Sequence, residues 1–341
     1  MTDFRDVGEF GFIRRIQGAC LVRPEGVAVA IGDDAAAFVV PEGEVTLVTT
    51  DLLVERVHFL RDAASPEDLG HKALAVNLSD IAAMGGTARE AFVSIAVPGG
   101  LALEYVEGMY RGMTSLATAF GVNILGGDTT ASRADLIINV AVVGSVHEKE
   151  MLRRGGARPG DRLFVTGAVG DSRAGLHLIL NRLPADEEAL AALIRAHHRP
   201  RPHLAEGRFL AQSGAVRAAI DVSDGLSSDL VHVARASGLG VRIDAGGLPL
   251  SPNLAHFCRR LGFDPVAYAL AGGEDYVLAC AVDPGKAAAL ARAFEARFHR
   301  PLHPIGEMTG GGRMEVARDG SVTPLPPAGW EHFPASPDRR A

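Results

Sequence analysis

The sequence contains little cysteine, and its three thiols are widely spaced. Cys20, Cys258 and Cys280 form no Cys-x-x-Cys pair, which excludes a thiolate zinc site and argues against a disulfide framework. We therefore expect buried, reduced thiols. The first residues, Met1 to Asp6, are acidic and mixed, unlike a secretory signal peptide, so we expect a cytoplasmic protein.

Lysine, net positive charge and long apolar runs are also scarce. The only lysines are Lys72, Lys149 and Lys286, so a lysine-based mechanism has few candidates, and no Gly-x-x-x-x-Gly-Lys-[Ser/Thr] phosphate loop is present. The formal net charge of −7 argues against a nucleic-acid-binding surface. No apolar run reaches the roughly 18 residues that a membrane span needs.

What the sequence does contain is material for two packed domains. Its 341 residues are 47% hydrophobic and 22% charged, which predicts two domains rather than one. Predicted strands and helices alternate, but not as a clean β-α-β series, so we predict α/β domains with mixed sheets rather than a plain Rossmann fold. The Gly-, Arg- and Pro-rich segment 146–161 indicates the boundary. We predict an N-terminal domain at 1–148, a C-terminal domain at 149–335 and a flexible tail at 336–341.

Local signals predict several elements. The β-branched run 45–50 predicts a strand. Ser65, Pro66 and an acid three residues after the serine predict an N-cap and a helix that runs to about Met84, where two glycines end it. Further strands are predicted at 91–97, 122–125, 136–143 and 163–166, a helix at 101–120 and a glycine-rich turn at 167–170.

Carboxylates recur after apolar runs or next to glycine, in many cases where a strand is predicted to end. They are Asp33, Asp34, Asp51, Asp80, Asp128, Asp221, Asp224, Glu274 and Asp275. Burying such a charge is costly unless it is paired or coordinated, and few basic residues lie nearby in sequence. For any one aspartate a turn or cap role is the simpler interpretation, but the whole set predicts a shared divalent cation. All-oxygen ligands favour Mg²⁺ over Zn²⁺.

Asp80 and the segment 221–226 carry additional signals. Asp80 is predicted in the last turn of its helix, where the helix dipole disfavours an anion by about 0.3–1 kcal/mol and a bound cation would reverse that sign. The segment 221–226 is typical of a strand, a turn and a helix start, whose N–H groups can hold a phosphate. Ser223 or Asp224 can equally serve as the N-cap there.

A series of short motifs extends along nearly the whole chain. They are Gly8-Glu9-Phe10, Ile31-Gly32-Asp33-Asp34-Ala35, Thr49-Thr50-Asp51, Val57-His58-Phe59, Lys72 to Asp80, Gly126-Gly127-Asp128-Thr129-Thr130, Ile220 to Leu226, Gly272 to Tyr276 and Gly329 to Phe333. In this order they resemble the thiamine-monophosphate kinase family, which shares a superfamily with aminoimidazole ribonucleotide synthetase and selenophosphate synthetase. Each motif alone is a weak match, but the ordered set is specific.

The resemblance implies a fold, ligands and site residues. It implies an N-terminal ferredoxin-like domain and a C-terminal α/β domain, in a homodimer formed through N-terminal strands, with ATP, several Mg²⁺ ions and thiamine monophosphate as ligands. The implied metal ligands are Asp34, Thr49, Thr50, Asp51, Asp80, Asp128, Asp221 and Asp224. The implied ATP contacts are Gly127, Asp128, Arg154 and Ser223, and the implied substrate contacts are His58, Glu274 and Trp330. The implied catalytic set is Asp34, Asp51, Asp80, Asp128, Asp221 and Arg154.

The chemistry of the implied substrate contacts fits these roles. Trp330 is the single tryptophan, and its ring could stack on the substrate's rings. Without the resemblance, a tryptophan that covers a core is the preferred interpretation, and a lone histidine such as His58 is more often structural. Glu274 could offset the positive charge of a thiazolium.

With the substrates that the resemblance implies, we expect direct in-line transfer of a phosphoryl group from ATP to thiamine monophosphate. The acceptor phosphate is already ionised near neutral pH, so transfer needs mainly positioning and charge neutralisation, with no covalent phospho-enzyme. The open alternatives are a related synthetase acting on an amidine, a metal-dependent phosphatase and a nucleotide sensor without turnover. Selenophosphate synthetase is set aside because Cys20 is alone and the first lysine is Lys72.

Overall fold

The chain divides into two units. The computed structural model describes residues 4–31, 35–325 and Gly329, with only the backbone for 4–10. Asp33, Asp34, Trp330 and the predicted tail at 336–341 therefore lie outside the described residues. Unit 1 is Met1–Met151 with His198–Gln212, and unit 2 is Leu152–His197 with Ser213–Ala341. The chain thus returns to unit 1 for residues 198–212, and the predicted boundary at 148/149 stays a prediction.

Unit 1 is built on a four-stranded mixed sheet. Its elements are α1 (Phe4–Cys20), β1 (Val27–Val29), β2 (Ala37–Phe38), β3 (Glu44–Val54), α2 (Pro66–Ala83), β4 (Thr87–Pro98), α3 (Leu103–Phe120), β5 (Asn123–Ser132), β6 (Ile137–His147) and, from the returning segment, α6 (Leu204–Gln212). The sheet order is β3-β6-β4-β5, with β4 and β5 parallel and the other neighbours antiparallel. Strands β1 and β2 form a separate antiparallel pair.

The predicted ends of the two long helices of unit 1 are confirmed. The Ser65 hydroxyl accepts the Asp68 N–H at 3.1 Å, and Pro66 is the first residue of α2. Helix α3 ends at Gly121 in the left-handed conformation. The two helices approach backbone to backbone, because a Cβ at Gly112 would lie 1.9 Å from the Glu67 carbonyl oxygen. This close contact fixes the position of α2 and hence of Asp80 in its last turn.

Two predicted strands are longer than the sequence suggested. Strand β3 pairs with β6 from Glu44 to Val54, so Asp51 lies inside the strand and not at its end. Strand β5 continues through the glycine pair to Ser132, which places Asp128 inside a strand as well. Glycine permits this pairing, because a Cβ at Gly127 would lie 1.7 Å from the Val93 carbonyl oxygen. The predicted placement of Asp51 at a strand end was wrong, as was the prediction that the strand before Asp128 ends at residue 125.

Unit 2 contains a seven-stranded sheet. Its elements are β7 (Arg162–Val165), α4 (Asp171–Leu180), α5 (Glu188–His198), β8 (Val216–Asp221), α7 (Leu226–Ser237), β9 (Gly240–Asp244), α8 (Pro252–Leu261), α9 (Pro265–Ala271), β10 (Leu278–Val282), α10 (Pro284–Phe298), β11 (His303–Thr309), β12 (Met314–Arg318) and β13 (Ser321–Pro324). The order is β13-β12-β9-β11-β7-β10-β8, and β12 and β9 are the only parallel neighbours among the described strands of this sheet. The predicted α/β class with mixed sheets is confirmed.

The core of unit 2 lies between this sheet and its helices. Buried side chains of β7, β8 and β10 pack with those of α7, among them Leu163, Ile220, Leu230 and Ala279. The three cysteines of the chain are free and buried, as predicted. Among the described residues, no helix is long and apolar enough to cross a membrane.

Candidate functional site

The first group of predicted site residues lies on β3 and α2 of unit 1. Thr49 and Asp51 are two residues apart on β3 and therefore share one face of the strand. The Thr49 hydroxyl donates to Oδ2 of Asp80. Burial, followed by the charge of Asp80, raises the pKa of the Asp51 carboxyl to about 6. We call Thr49, Asp51 and Asp80 the unit 1 carboxylate group.

Thr50 and Asp128 occupy the other face of the same sheet. Asp128 pairs with Ser94, and Ser94 pairs with Asn139, while Asp51 pairs with Val140, which belongs to the buried face. Asn139 donates to the Thr50 hydroxyl at 2.8 Å. The register therefore separates Asp128 from the unit 1 carboxylate group.

His58 lies in the turn that follows β3. Its Nδ1 accepts the Val54 N–H at 3.0 Å, so the neutral ring carries its proton on Nε2. That tautomer presents a donor suited to a phosphate oxygen. The neighbouring Arg56 has a positive φ of 66°, which shows how tightly the chain turns here.

Four predicted residues of unit 2 lie in two segments that bond to each other; they are Asp221, Ser223, Asp224 and Glu274. The Glu274 N–H donates to the Ser223 carbonyl at 2.7 Å, and the Tyr276 N–H donates to the Val222 carbonyl at 2.9 Å. A Cβ at Gly273 would lie 2.8 Å from the Ser223 carbonyl oxygen, so only glycine permits this approach. The structure thus brings Ser223 and Glu274 together.

Arg154 of the predicted ATP contacts lies next to this region. It is exposed, and the carbonyl of the preceding Arg153 accepts the N–H of Ala219 on β8 at 2.9 Å. Ala219 is two residues before Asp221, so the segment that carries Arg154 runs beside the strand that carries Asp221.

The sequence analysis missed Asp229. This carboxylate is 2% exposed, and its Oδ2 accepts the N–H groups of Asp224 at 3.3 Å and Gly225 at 3.1 Å. Burial, then the charges of Asp221 and Asp224, raises its pKa to about 8. The sequence signal for Asp229 is its position as an acid in the first turn of α7, the helix that follows residues 221–225. We call Asp221, Asp224 and Asp229 the unit 2 carboxylate group.

Asp275, whose role the sequence left open, has a structural function. Its Oδ2 accepts the Gly170 N–H at 2.7 Å and its Oδ1 accepts the Ser172 N–H at 3.3 Å. Burial raises its pKa to about 8, against the effect of these two donors. It therefore caps the start of α4.

The donor chemistry of both carboxylate groups suits Mg²⁺. Each group supplies only oxygen atoms, and crowded carboxylates are the arrangement that a hard cation stabilises. Within residues 4–31, 35–325 and Gly329, no three Asp, Glu, His or Cys side chains are already arranged to hold a metal ion. Asp34, the remaining predicted ligand, lies outside these residues.

Two family models together match most of the chain. "AIR synthase related protein, N-terminal domain" matches residues 32–146, and "AIR synthase related protein, C-terminal domain" matches residues 158–319.

Curated and solved relatives match over nearly the full length. The thiamine-monophosphate kinase of Bacillus subtilis (strain 168) is 37% identical over 317 residues, which is 92% of this chain and 95% of the relative. The crystal structure of thiamine-monophosphate kinase from Stenotrophomonas maltophilia K279a has a TM-score of 0.82 at 33% identity, covering 92% of this chain and 97% of that one. "AaThiL complexed with AMPPCP and TMP" has a TM-score of 0.76 at 34% identity, covering 98% and 99%.

Proposed function

This chain belongs to the thiamine-monophosphate kinase family, and from that premise we propose that it transfers the γ-phosphoryl group of ATP to the phosphate of thiamine monophosphate. The observation that carries the proposal is the match over 98% of the chain to a structure complexed with AMPPCP and TMP. The product is thiamine diphosphate. The protein is therefore a kinase, with ATP as co-substrate.

The proposed metal ligands are the oxygen donors of both units. They are Asp34, Thr49, Thr50, Asp51, Asp80, Asp128, Asp221 and Asp224. When bound, Mg²⁺ supplies charge neutralisation for the phosphates, the main requirement of phosphoryl transfer. The burial of Asp51 and its repulsion from Asp80 support the assignment of these two residues, because a cation offsets both effects. Thr50 and Asp128, on the other face of the sheet, are assigned from family membership.

The remaining predicted residues are proposed to hold the two substrates. Gly127, Arg154 and Ser223 bind ATP, with Arg154 adding positive charge near the transferred group. His58 donates to the substrate phosphate through Nε2. Glu274 faces the cationic ring of thiamine monophosphate, and Trp330 stacks on its rings.

We further propose that the protein forms a homodimer, with residues 1–148 as the ATP- and Mg²⁺-binding and dimerisation domain and 149–335 as the second domain. The support is the open face of the unit 1 sheet, where Val48 and Leu52 have exposed fractions of 70% and 52%. Burying these two apolar side chains against a second copy is favourable, and the same face also carries Thr50 and Asp128. Sedimentation of the purified protein tests this, and a monomer at all concentrations would contradict it.

The kinase proposal is tested by ADP formation from ATP and Mg²⁺, with and without thiamine monophosphate. We expect ADP and thiamine diphosphate to appear together and only with the acceptor. Asp80→Ala should lower the rate by at least about 10²-fold, while Asp62→Ala, an exposed acid of the same unit, should leave it unchanged. Phosphate release without the acceptor would indicate a phosphatase, and ADP that needs a purine precursor would indicate a synthetase.

A further inference from the structure

A buried histidine contacts the carboxylate proposed to face the substrate. His197, at the end of α5, is 4% exposed, and its Nδ1 lies 3.2 Å from Oε2 of Glu274. The same Nδ1 lies 3.1 Å from the hydroxyl oxygen of Ser172. Three chemically active side chains that are distant in sequence therefore meet in unit 2.

This trio is not a nucleophilic triad. In a Ser-His-acid triad the serine and the acid bond to different ring nitrogens, so that one nitrogen takes the serine proton while the acid orients the ring through the other. Here both contacts fall on Nδ1, and Ser172 is only 1% exposed. A buried hydroxyl that shares its nitrogen with the acid cannot act as a substrate nucleophile.

The position of the Glu274 carboxylate determines which ring nitrogen of His197 carries the proton. A bare Nδ1 at 3.2 Å from a carboxylate oxygen would place two lone pairs against each other, whereas an N–H there donates a charge-assisted hydrogen bond. Nδ1 therefore carries a hydrogen, with Ser172 as a second neighbour. The ring fixes one oxygen of Glu274.

Glu274 lies in a loop that holds it in one conformation. Its φ is 62°, and Tyr276 has a φ of 51°, a region that non-glycine residues rarely occupy. Two backbone hydrogen bonds to residues 222 and 223 maintain this conformation. Backbone strain of this kind is typical of functional positions. With the main chain fixed, the His197 contact removes side-chain freedom from a carboxylate that keeps 27% of its surface exposed.

We infer that His197 is a positioning residue for Glu274, which it holds in the orientation that recognises the cationic, phosphate-bearing substrate. The inference rests on the proposed role of Glu274 in the kinase reaction. His197 affects binding of the acceptor and not binding of ATP. Preorganisation of this kind lowers the entropy lost on binding, so its loss weakens acceptor binding selectively.

Two amide substitutions of His197, which are nearly equal in polarity, distinguish a role in positioning Glu274 from a role in packing alone. The amide nitrogen in His197→Asn takes the position of Nδ1 and can still donate to Glu274, while that in His197→Gln takes the position of Nε2 and cannot. We expect His197→Gln to raise KM for thiamine monophosphate about tenfold, the loss of one charge-assisted hydrogen bond. KM for ATP should stay unchanged, and His197→Asn should stay close to the wild type.

Ser172→Ala is the matched control, because it removes the other neighbour of Nδ1 and leaves the Glu274 contact in place. An unchanged KM for thiamine monophosphate is expected. Equal rises in KM for both substrates in His197→Gln, or no rise at all, would overturn the inference. So would ¹⁵N spectra of the wild type that show the His197 proton on Nε2 alone, a measurement that needs no variant enzyme to fold.

The wild-type assay separates this inference from the proposed function. If the wild type forms ADP without any dependence on thiamine monophosphate, the kinase proposal fails before any variant is compared. If the wild type is a thiamine-monophosphate-dependent kinase and His197→Gln behaves as the wild type, only the positioning inference fails.

Discussion

Asp229 organises the turn of unit 2 through a single carboxylate oxygen. Its Oδ2 accepts the N–H groups of both Asp224 and Gly225, and this turn carries two proposed metal ligands. An asparagine has one carbonyl oxygen with two lone pairs, so it can accept both N–H groups without the buried charge. An alanine can accept neither.

We therefore predict different outcomes for two substitutions of Asp229. Asp229→Ala should be less stable than Asp229→Asn by about 1–3 kcal/mol for each N–H that loses its acceptor, and it should slow the kinase reaction. Asp229→Asn should be at least as stable as the wild type, since no charge is buried. Urea unfolding and the ADP assay measure both. Equal losses in the two variants would mean that the charge, and not the hydrogen bonds, is required.

Single residues also mark the limit of what sequence can predict. The contact of Asp229 with the preceding turn could be predicted from sequence, because an acid in the first turn of a helix often bonds back to the residues before it. The contact of His197 with Glu274 cannot be predicted from sequence, because it depends on how distant segments pack. The positive φ of Glu274 cannot be predicted from sequence either, because the backbone hydrogen bonds that maintain it form only when Val222 and Ser223 lie beside the loop.

At the scale of elements, the caps of α2 and α3 were predictable and the register of the sheet was not. Ser65 and Gly121 act on neighbouring residues, so their signals are local. The face on which Asp128 lies depends on how β5 pairs with β4, and a shift of one residue would move it to the opposite face. The sequence analysis named the three members of the unit 1 carboxylate group, but it did not separate them from Thr50 and Asp128 on the other face.

Helix α2 is hydrogen-bonded to the returning segment through His71, whose pKa is lowered. Nε2 of His71 donates to the Pro200 carbonyl at 2.9 Å, and a guanidinium nitrogen of Arg199 lies 3.5 Å from Nδ1. Burial, with a further contribution from the charge of Arg199, lowers the pKa of His71 below its ordinary value of 6.5, although the Pro200 bond and the charge of Asp68 oppose this.

We predict that His71 makes the protein less stable in mild acid. Below about pH 6.5 the unfolded chain protonates this histidine before the folded chain does, so the free energy of unfolding falls as the pH drops. His71→Gln keeps a donor for the Pro200 carbonyl but cannot protonate, so urea unfolding should show a weaker pH dependence in this window. His147→Gln, at an exposed histidine of the same unit, is the control. The same slope in His71→Gln and the wild type would contradict the prediction.

At the scale of the whole molecule, the sequence predicted two α/β parts but not the return of residues 198–212 to unit 1. That segment begins with histidine, arginine and proline residues, a composition typical of a connection. Its membership in unit 1 comes from packing. Leu210 of α6 is fully buried, and a Cβ at Gly207 would lie 2.1 Å from the Ala82 carbonyl oxygen of α2.

This packing predicts that residues 1–151 alone form an incomplete unit. Without α6, the fragment exposes the part of α2 that α6 covers and loses the burial of Leu204 and Leu210, and burying two leucines contributes about 3 kcal/mol or more. A chain in which a flexible Gly-Ser linker joins residue 151 to residues 198–212 should therefore unfold at a higher urea concentration than 1–151. The same joined chain with Gly207→Leu should lose most of that gain, because the larger side chain cannot fit against the α2 backbone. If 1–151 unfolds as cooperatively and as late as the joined chain, residues 198–212 are a connection and not a part of unit 1.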